Sequence, residues 1–418
     1  MARATFFATQ ALFSLAASGV TSGTQDSSPL GKIQSDTYAR LFTETIKVFR
    51  QDTANVRAGL YKAPWDAEPL NSSGDLHRQW NPLYVARQSA RFVREAAGTL
   101  QRRNDRASTS VWLESDDDMY PRYYRHTFHY QSDGWFSTES ANVVSLQTWW
   151  SSTHSAKKVR LASRRGAAAC VSPYVDSSCQ APLATILTLC LKYETSTETL
   201  FLGRQDAMQR QTLIPLGRHL RSGGQVGEGA RILEIAAGTG RFATFVRDNF
   251  PAAEMVVSDL SPYYLEKARE NLAYWESQRG ADAAKECSGG KLGKLRLLQA
   301  NAEAVPEKDA SYDAVLSVYL FHELPAEARR TVVREAARLL KPGGIFVLTD
   351  SIQKGDRPVQ DPYLYKFGAF AEPHYPGYTE DSFTAIAREA GLVPWEKEQC
   401  SASKTLSFRK PMDADEAA

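Results

Sequence analysis

Arg231-Ile232-Leu233-Glu234-Ile235-Ala236-Ala237-Gly238-Thr239-Gly240-Arg241 decides the fold class of this chain. A short apolar strand, with the acid Glu234 in it, runs into a turn of small residues. A helix-like stretch, Phe242 to Asn249, follows. Small residues in such a turn let the backbone come close to a bound ligand. Alone, a Gly-x-Gly is weak evidence of a nucleotide site. Here Val256-Val257-Ser258-Asp259 follows, a second apolar run, which ends in an acid. A carboxylate at the end of the second strand is placed to accept hydrogen bonds from ribose hydroxyls.

The pattern continues downstream. Strand candidates are Arg231 to Ile235, Glu254 to Ser258, Leu295 to Gln299, Ala314 to Val318 and Ile345 to Thr349. Helix-like stretches lie between them at Phe242 to Asn249, Tyr263 to Gln278 and Ala326 to Leu340. Such alternation implies a parallel, doubly wound α/β sheet. Pro342-Gly343-Gly344 reads as a turn after the third helix.

These residues resemble the class I S-adenosylmethionine-dependent methyltransferases over roughly Leu202 to Leu392. The resemblance implies a Rossmann-like, mainly parallel seven-stranded sheet and S-adenosylmethionine as cofactor. It implies that Glu234, Ala236, Ala237, Gly238, Thr239 and Gly240 wrap the methionine part. Asp259, with Leu260 beside it, would hold the ribose, and Asn301 and Ala302 would line the adenine pocket. Val318 would close the strand-four end, and Leu339 to Thr349 matches the usual Leu-Lys-Pro-Gly-Gly turn and fifth strand. The family often carries Gly at Ala236 and Asp at Asn301. A finer likeness lies in Tyr319-Leu320-Phe321-His322-Glu323-Leu324-Pro325, Thr349 to Gln353, Glu372 to Tyr375 and Tyr130 to Trp135. It is similar to a cyanobacterial and plastid-type methyltransferase group and reaches back to about Tyr120.

In that fold the fourth strand ends at the cofactor's methyl group. His322 and Tyr319 are therefore the candidate catalytic residues. His322 follows the strand closely and has the intrinsic pKa of a base; the alternative is that it caps or packs the next helix. Tyr319 would contact the methionine portion or the acceptor; the alternative is core packing. Methyl transfer from a sulfonium is an in-line displacement, so alignment and exclusion of water are the main demands.

The rest of the 418-residue chain divides into zones. Residues 1–34 look like a leader or a tail. Met1 to Val20 has an apolar stretch with one Arg and no acid. As a targeting peptide it would direct the chain to a plastid or other organelle; otherwise the chain is cytoplasmic. Residues 35–143 form a helical and aromatic N-terminal region. It has a helix over Asp36 to Arg57, with Tyr38, Leu41, Phe42, Ile46 and Phe49 on one face, and another over Ser89 to Gln101. Its aromatic, basic stretch includes Tyr120, Arg122, Tyr123, Tyr124, Arg125, His126, Phe128, His129 and Tyr130. By the resemblance, His126, His129 and Tyr130 belong to a lid over the substrate pocket. These two histidines lack a further ligand at metal spacing, so no metal site is expected.

Residues 144–192 are atypical. They hold six basic residues, one acid and three cysteines without sustained periodicity. Joining Val143 to Tyr193 restores the resemblance. Val144-Ser145 can be encoded by GTGAGT, a splice donor, and Lys192 can end in AG, an acceptor. A retained intron and a lineage-specific insertion are the two readings. The methyltransferase domain would then span 193–410, with an acidic tail at 411–418.

The formal net charge is +2. That balance carries no electrostatic signature of nucleic-acid binding. Strand four also ends in Ser317-Val318-Tyr319-Leu320, unlike the Asn-Pro-Pro-Tyr of enzymes that methylate base amino groups. No apolar run is long enough for stable membrane insertion. The five cysteines form no C-x-x-C pair. The expected partner is a small-molecule acceptor; the oligomeric state is unknown. The alternatives are a protein or nucleic-acid methyltransferase on the same core, and a cofactor-binding protein without catalysis.

Overall fold

A computed structural model describes residues 35–81, 83–84, 119–125, 204–222, 227–362, 364 and 372–412. The leader, the second expected helix, His126, His129, Tyr130 to Trp135, the insertion at 144–192 and the acidic tail lie outside these residues.

Seven strands form one sheet: β1 (Arg231–Ile235), β2 (Glu254–Asp259), β3 (Leu295–Gln299), β4 (Tyr312–Val318), β5 (Leu340–Ser351), β6 (Val393–Cys400) and β7 (Ser403–Arg409). Their order is β3-β2-β1-β4-β5-β7-β6. The first five are mutually parallel, and β7 runs antiparallel between β5 and β6. The order reverses between β1 and β4, and a ligand crevice opens at the carboxyl ends beside such a reversal. The pairs Ile235↔Ser317 and Asp259↔Gln299 bring the first four strands to an end close together.

Five strands were legible, with ends adjusted by a few residues. Burial explains why. β1 and β2 are apolar runs buried on both faces after their first residue. The expected turn at Pro342-Gly343-Gly344 is instead a bulge inside β5. Tyr312 pairs with Leu340 and Ala314 with Ile345, so four residues of β5 face one of β4. Gly343 donates to the Lys410 carbonyl, and Lys410 donates back to that of Gly344. Sheet pairing outweighs the turn chemistry.

Helices cover both faces. On one lie α3 (Leu213–Ser222), α4 (Arg241–Asn249) and α5 (Pro262–Trp275). They bury Leu213, Leu216, Phe242, Phe245, Leu272 and Trp275 against the β-sheet residues Ile232, Val257 and Leu316. The other face carries α7 (Ala326–Leu339), α8 (Tyr375–Glu380) and α9 (Phe383–Glu389). It packs Val332, Val333, Tyr378 and Phe383 on Leu233, Val315 and Phe346. Ser261 caps α5, its hydroxyl accepting from the Tyr264 amide, with Pro262 at the first helical position. The expected continuation of α5 to Gln278 passes into a π-helical turn, Glu276–Gly280, and then α6 (Ala281–Lys285).

The N-terminal region begins with α1 (Ser35–Arg57). Of its expected apolar set, Ile46 is exposed and Phe49 half-buried, while the side chains of Tyr38, Leu41 and Phe42 lie outside the described residues; Thr45 and Val48 are buried, Val48 against Ala207, Met208 and Cys400. Polar pairing also holds the helix. Asp52 accepts from Arg210 at 2.6 Å and from the Tyr61 hydroxyl at 2.9 Å. Arg210 lies in a 3-10 turn after α2 (Gln205–Gln209). Glu44 pairs with Arg357 at 2.8 Å, which, with Lys47, holds its carboxyl down to about 2. Beyond Arg57 the described N-terminal residues form turns and short 3-10 segments. No helix among the described residues is long and apolar enough to cross a membrane.

Arg241 opens α4 and joins these parts. Its guanidinium meets Asp66 at 2.8 Å and Asp206 at 2.6 Å and lies over the Phe245 ring. Burial opposes its charge, but the two aspartates hold it protonated. Arg241→Ala leaves both carboxylates in a largely buried site without their cation. Chemical denaturation should show a loss of about 3–5 kcal/mol. A loss under 1 kcal/mol would mean that water reaches the pair.

Candidate cofactor and acceptor site

The turn after β1 is built from unusual backbone. Ala236, Gly238 and Gly240 all have positive φ, at 51°, 57° and 71°. Left-handed backbone costs an L-residue roughly 1–2 kcal/mol, so Ala236 carries strain that glycine would not. The turn is fixed from several sides. The Ala237 amide donates to the Ser258 carbonyl at 2.9 Å, and the Ser258 hydroxyl donates to the Glu234 carbonyl at 3.1 Å. Gly240 has a second reason to be glycine: a Cβ there would lie 2.9 Å from the Cβ of Ala268. Gly238 differs, because a Cβ there would meet nothing within 4 Å. Its open side faces room for a ligand.

Asp259 ends β2 beside this turn. One carboxylate oxygen accepts from the Gly238 amide and the other from the Ser261 amide, each at 2.8 Å. Burial pushes its pKa up to about 6 against those amides, which pull it down. Glu234, buried at the end of β1, is pushed well above the usual carboxylate range by burial and by the charge of Asp259. Its Oε2 has no hydrogen-bond partner among the described residues. Two close acids, one of them with an orphaned oxygen, beside an open glycine suit a ligand with a cationic group and a hydroxylated ring. S-adenosylmethionine has both. When bound it supplies an electrophilic methyl group.

Past β3, Asn301 folds on itself. Its side-chain oxygen accepts from the Glu303 amide at 3.0 Å and its carbonyl from the Ala304 amide. Ala302 packs against the core at the same corner. Residues 119–125 lie here too. The Tyr124 hydroxyl hydrogen-bonds with Ser261, near Asp259. Tyr120 accepts from Gln299 at 2.9 Å, and that amide also donates to the Leu260 carbonyl. Tyr123 donates to Glu303, and the Tyr120 and Tyr124 rings stack. Part of the aromatic stretch thus sits over the ends of β2 and β3.

The other side of the crevice starts at Val318, the last residue of β4. Tyr319 is left-handed at φ 57°, held by its amide donating to the Thr349 carbonyl and by a 2.6 Å hydroxyl contact with Ser403. His322 lies in a 3-10 turn, Phe321–Glu323. Its Nδ1 is 2.6 Å from Asp350 Oδ1, and its Nε2 is 3.4 Å from Glu323. Burial opposes the imidazolium, but Asp350 and Glu323 outweigh it and hold the pKa well above the usual value. Asp350 also accepts from the amides of Phe321 and His322, so it fixes the turn as well as the ring. Tyr319, Tyr375 and Tyr378 stand with their rings edge-on to the imidazole, at centroid distances of 6.1 to 6.4 Å.

The eleven residues expected at the cofactor therefore gather at the carboxyl ends of β1 to β4, and Tyr319 and His322 follow β4. Sequence reasoning missed Gln299, Ser261, Ser403 and Tyr378, and gave Tyr375 only as part of the likeness at Glu372 to Tyr375. The fold is what brings them here.

Residues 232–344 match a family described as "Methyltransferase domain". Among curated relatives, the ubiquinone/menaquinone biosynthesis C-methyltransferase UbiE of Pasteurella multocida is 28% identical over 182 residues, 43% of this chain and 58% of that one. The demethylmenaquinone methyltransferase of Deinococcus radiodurans is 31% identical over 120 residues, 29% of this chain and 42% of that one. The chain thus spans about half the length of the curated relatives it matches. A solved Burkholderia thailandensis 1,6-didemethyltoxoflavin-N1-methyltransferase with S-adenosylhomocysteine overlaps at 17% identity and a TM-score of 0.33, covering 49% of this chain and 79% of that one. That overlap is too loose to add to the sheet order. The matched segment is a class I methyltransferase domain of Rossmann-like fold, and its cofactor is S-adenosylmethionine.

Gly238→Ala and Gly240→Ala separate ligand room from backbone room. Gly238→Ala should keep the fold to within about 2 kcal/mol, since its cost is φ strain, yet weaken S-adenosylhomocysteine binding at least tenfold by calorimetry. Gly240→Ala should lower the melting temperature as well. Equal affinity in Gly238→Ala and the parent would place the ligand elsewhere. Affinity for S-adenosylhomocysteine should fall as pH drops through about 6, where the Asp259 carboxylate takes up a proton; titrations from pH 8 to 5 read this directly.

Proposed function

We propose that the whole chain transfers the methyl group of S-adenosylmethionine to a small molecule. The observation that carries this is the strained turn from Glu234 to Gly240 closed against Asp259. Past the end of β4, the rings of Tyr319, Tyr375 and Tyr378 surround His322, and the acceptor is placed there in this reading. The name of the Pasteurella relative, a ubiquinone/menaquinone biosynthesis C-methyltransferase, supports an acceptor methylated at carbon, and that of the Deinococcus relative, a demethylmenaquinone methyltransferase, supports a small acceptor. The stretch Tyr319 to Pro325 supports the finer placement in the cyanobacterial and plastid-type group.

In this reading the chain aligns the acceptor and excludes water. Asp259 holds the ribose, and Glu234 offers its orphaned oxygen to the cationic end. Tyr319 borders the reacting centre. His322, kept charged by Asp350 and Glu323, sets a fixed positive charge beside the acceptor and does not remove its proton. Such electrostatic help typically contributes about 10²-fold or more to rate.

The decisive experiment uses the full chain with S-adenosylmethionine labelled in its methyl group and a cell extract separated into small-molecule, protein and nucleic-acid fractions. Label should enter the small-molecule fraction. Label in a macromolecular fraction would overturn the acceptor class, and absence of cofactor binding would overturn the whole reading.

His322→Asn should lower kcat about 10²-fold with S-adenosylhomocysteine affinity unchanged. The pH dependence follows from the raised imidazole pKa. A group whose folded pKa is raised adds stability at low pH, and loses it as pH rises through the folded value. Activity should therefore be flat across neutral pH and fall on the alkaline side. Asp350→Asn should move that fall toward neutrality. A rate that instead rises through pH 6 to 7 would make His322 a base.

A further inference from the structure

The geometry points to Arg78, in the N-terminal region outside the matched domain, as a positioning residue for the cofactor turn, acting through Asn271. The inference rests on the cofactor reading above and adds a part of the chain to that site.

Arg78 is 5% exposed and belongs to a 3-10 turn, Arg78–Trp80. Its guanidinium lies 3.7 Å from the centre of the Tyr274 ring, close enough for a cation–π contact. Its backbone amide donates to the Tyr274 hydroxyl at 3.1 Å. One arm of the guanidinium donates to Asn271 Oδ1 at 3.0 Å. Asn271, 1% exposed on α5, donates through Nδ2 to the Thr239 carbonyl at 2.8 Å. Thr239 stands between the two left-handed glycines of the turn.

The order of donors is forced. A guanidinium can only donate and a carbonyl can only accept. With Oδ1 committed to Arg78, the Asn271 amide must present its N–H to Thr239. Without Arg78 that amide loses the donor that holds its orientation, and its bond to the peptide that Gly238 and Gly240 bracket is held less firmly. Among the described residues, the turn's other bonds hold Gly238, Ala237 and Gly240 through their amides and not the Thr239 carbonyl. A second tie comes from the same stretch: Asp66 holds Arg241, the residue after Gly240. Residues 61–81 therefore brace both sides of the cofactor turn, although they lie more than a hundred residues before it.

The test compares the full chain with Arg78→Ala, Arg78→Lys and Arg218→Ala, the last a control at a solvent-facing arginine paired with Glu396 and Glu398. Two readouts are taken: S-adenosylhomocysteine affinity by calorimetry, and hydrogen exchange of the 237–241 amides without ligand. Arg78→Ala should bind about tenfold more weakly and exchange those amides at least tenfold faster, while the core strands stay protected. Arg78→Lys keeps the charge and one donor, so it should recover most of both losses; Arg218→Ala should match the parent. Parental affinity and parental exchange in Arg78→Ala would overturn the inference, as would faster exchange spread evenly over the whole chain. If the parent itself does not bind S-adenosylhomocysteine, the cofactor reading fails, while turn exchange still decides whether Arg78 positions the turn.

Discussion

Arg241, buried between Asp66 and Asp206, is the contact through which the two parts of the described chain become one structure. A guanidinium can leave water only if carboxylates replace its hydration on several sides. Here one carboxylate comes from the N-terminal region and the other from the short helix before the sheet. Because Arg241 also starts the helix that follows the cofactor turn, its placement sets where that turn ends. The ring of Phe245 beneath it and Trp65 beside it shield the cluster. The same design recurs with Arg210 and Asp52, which fix the first helix. Ion pairs thus act beside apolar contact, since Tyr61 and Trp65 enter the core with Phe242 and Phe245 and Val48 packs on Met208.

The crevice has two chemically distinct ends. At the ends of β1 and β2 stand two acids, Glu234 and Asp259, whose pKa values burial raises, together with tyrosines from residues 119–125. Beyond β4 stands a histidine whose charge two acids sustain, ringed by phenols. Between them, at the end of β4, the left-handed Tyr319 turns the chain from one side to the other. A non-glycine residue in that conformation persists only where its surroundings over-determine it. The Thr349 carbonyl and the Ser403 hydroxyl do so here, which ties the crevice to the last strand of the sheet.

What the sequence revealed and what it hid follow from the same physics. β1, β2 and β4 are apolar runs in the middle of a two-faced sheet, so composition alone marks them, and the edge strand β3 is marked by its leucines. β6 reads Val393-Pro394-Trp395-Glu396-Lys397-Glu398, an edge strand with mostly half-exposed residues and no alternation to detect. β7 is Ser403-Lys404-Thr405-Leu406-Ser407, polar yet almost wholly buried. Its polarity is satisfied by partners far away in sequence, such as Thr349, whose hydroxyl bridges Thr405 and Thr212. The first helix was legible, but Ile46 of its expected apolar set is exposed, while Val48 packs on Ala207, Met208 and Cys400 and Asp52 pairs with Arg210. In the site, the turn and the strand-end acid were legible because backbone needs restrict residue type there. Arg78 and Asn271 were not, since a hydrogen bond between distant segments leaves no local pattern.

The place of β7 has a consequence for how the chain is made. It is the last strand in sequence but sits inside the sheet, between β5 and β6. Until it emerges during synthesis, the twelve-residue β5 presents an open edge of unpaired peptide groups. The first helix waits as well, since Gln51 docks on the Gln399 carbonyl of β6 and Glu44 on Arg357. Contacts between the start and the finish of a chain are slow to form, because a long loop must close first. A nascent chain stalled near Leu392 would therefore hold a nearly complete cofactor crevice beside an exposed, adhesive strand. In the cell that intermediate is where a chaperone would be expected to bind.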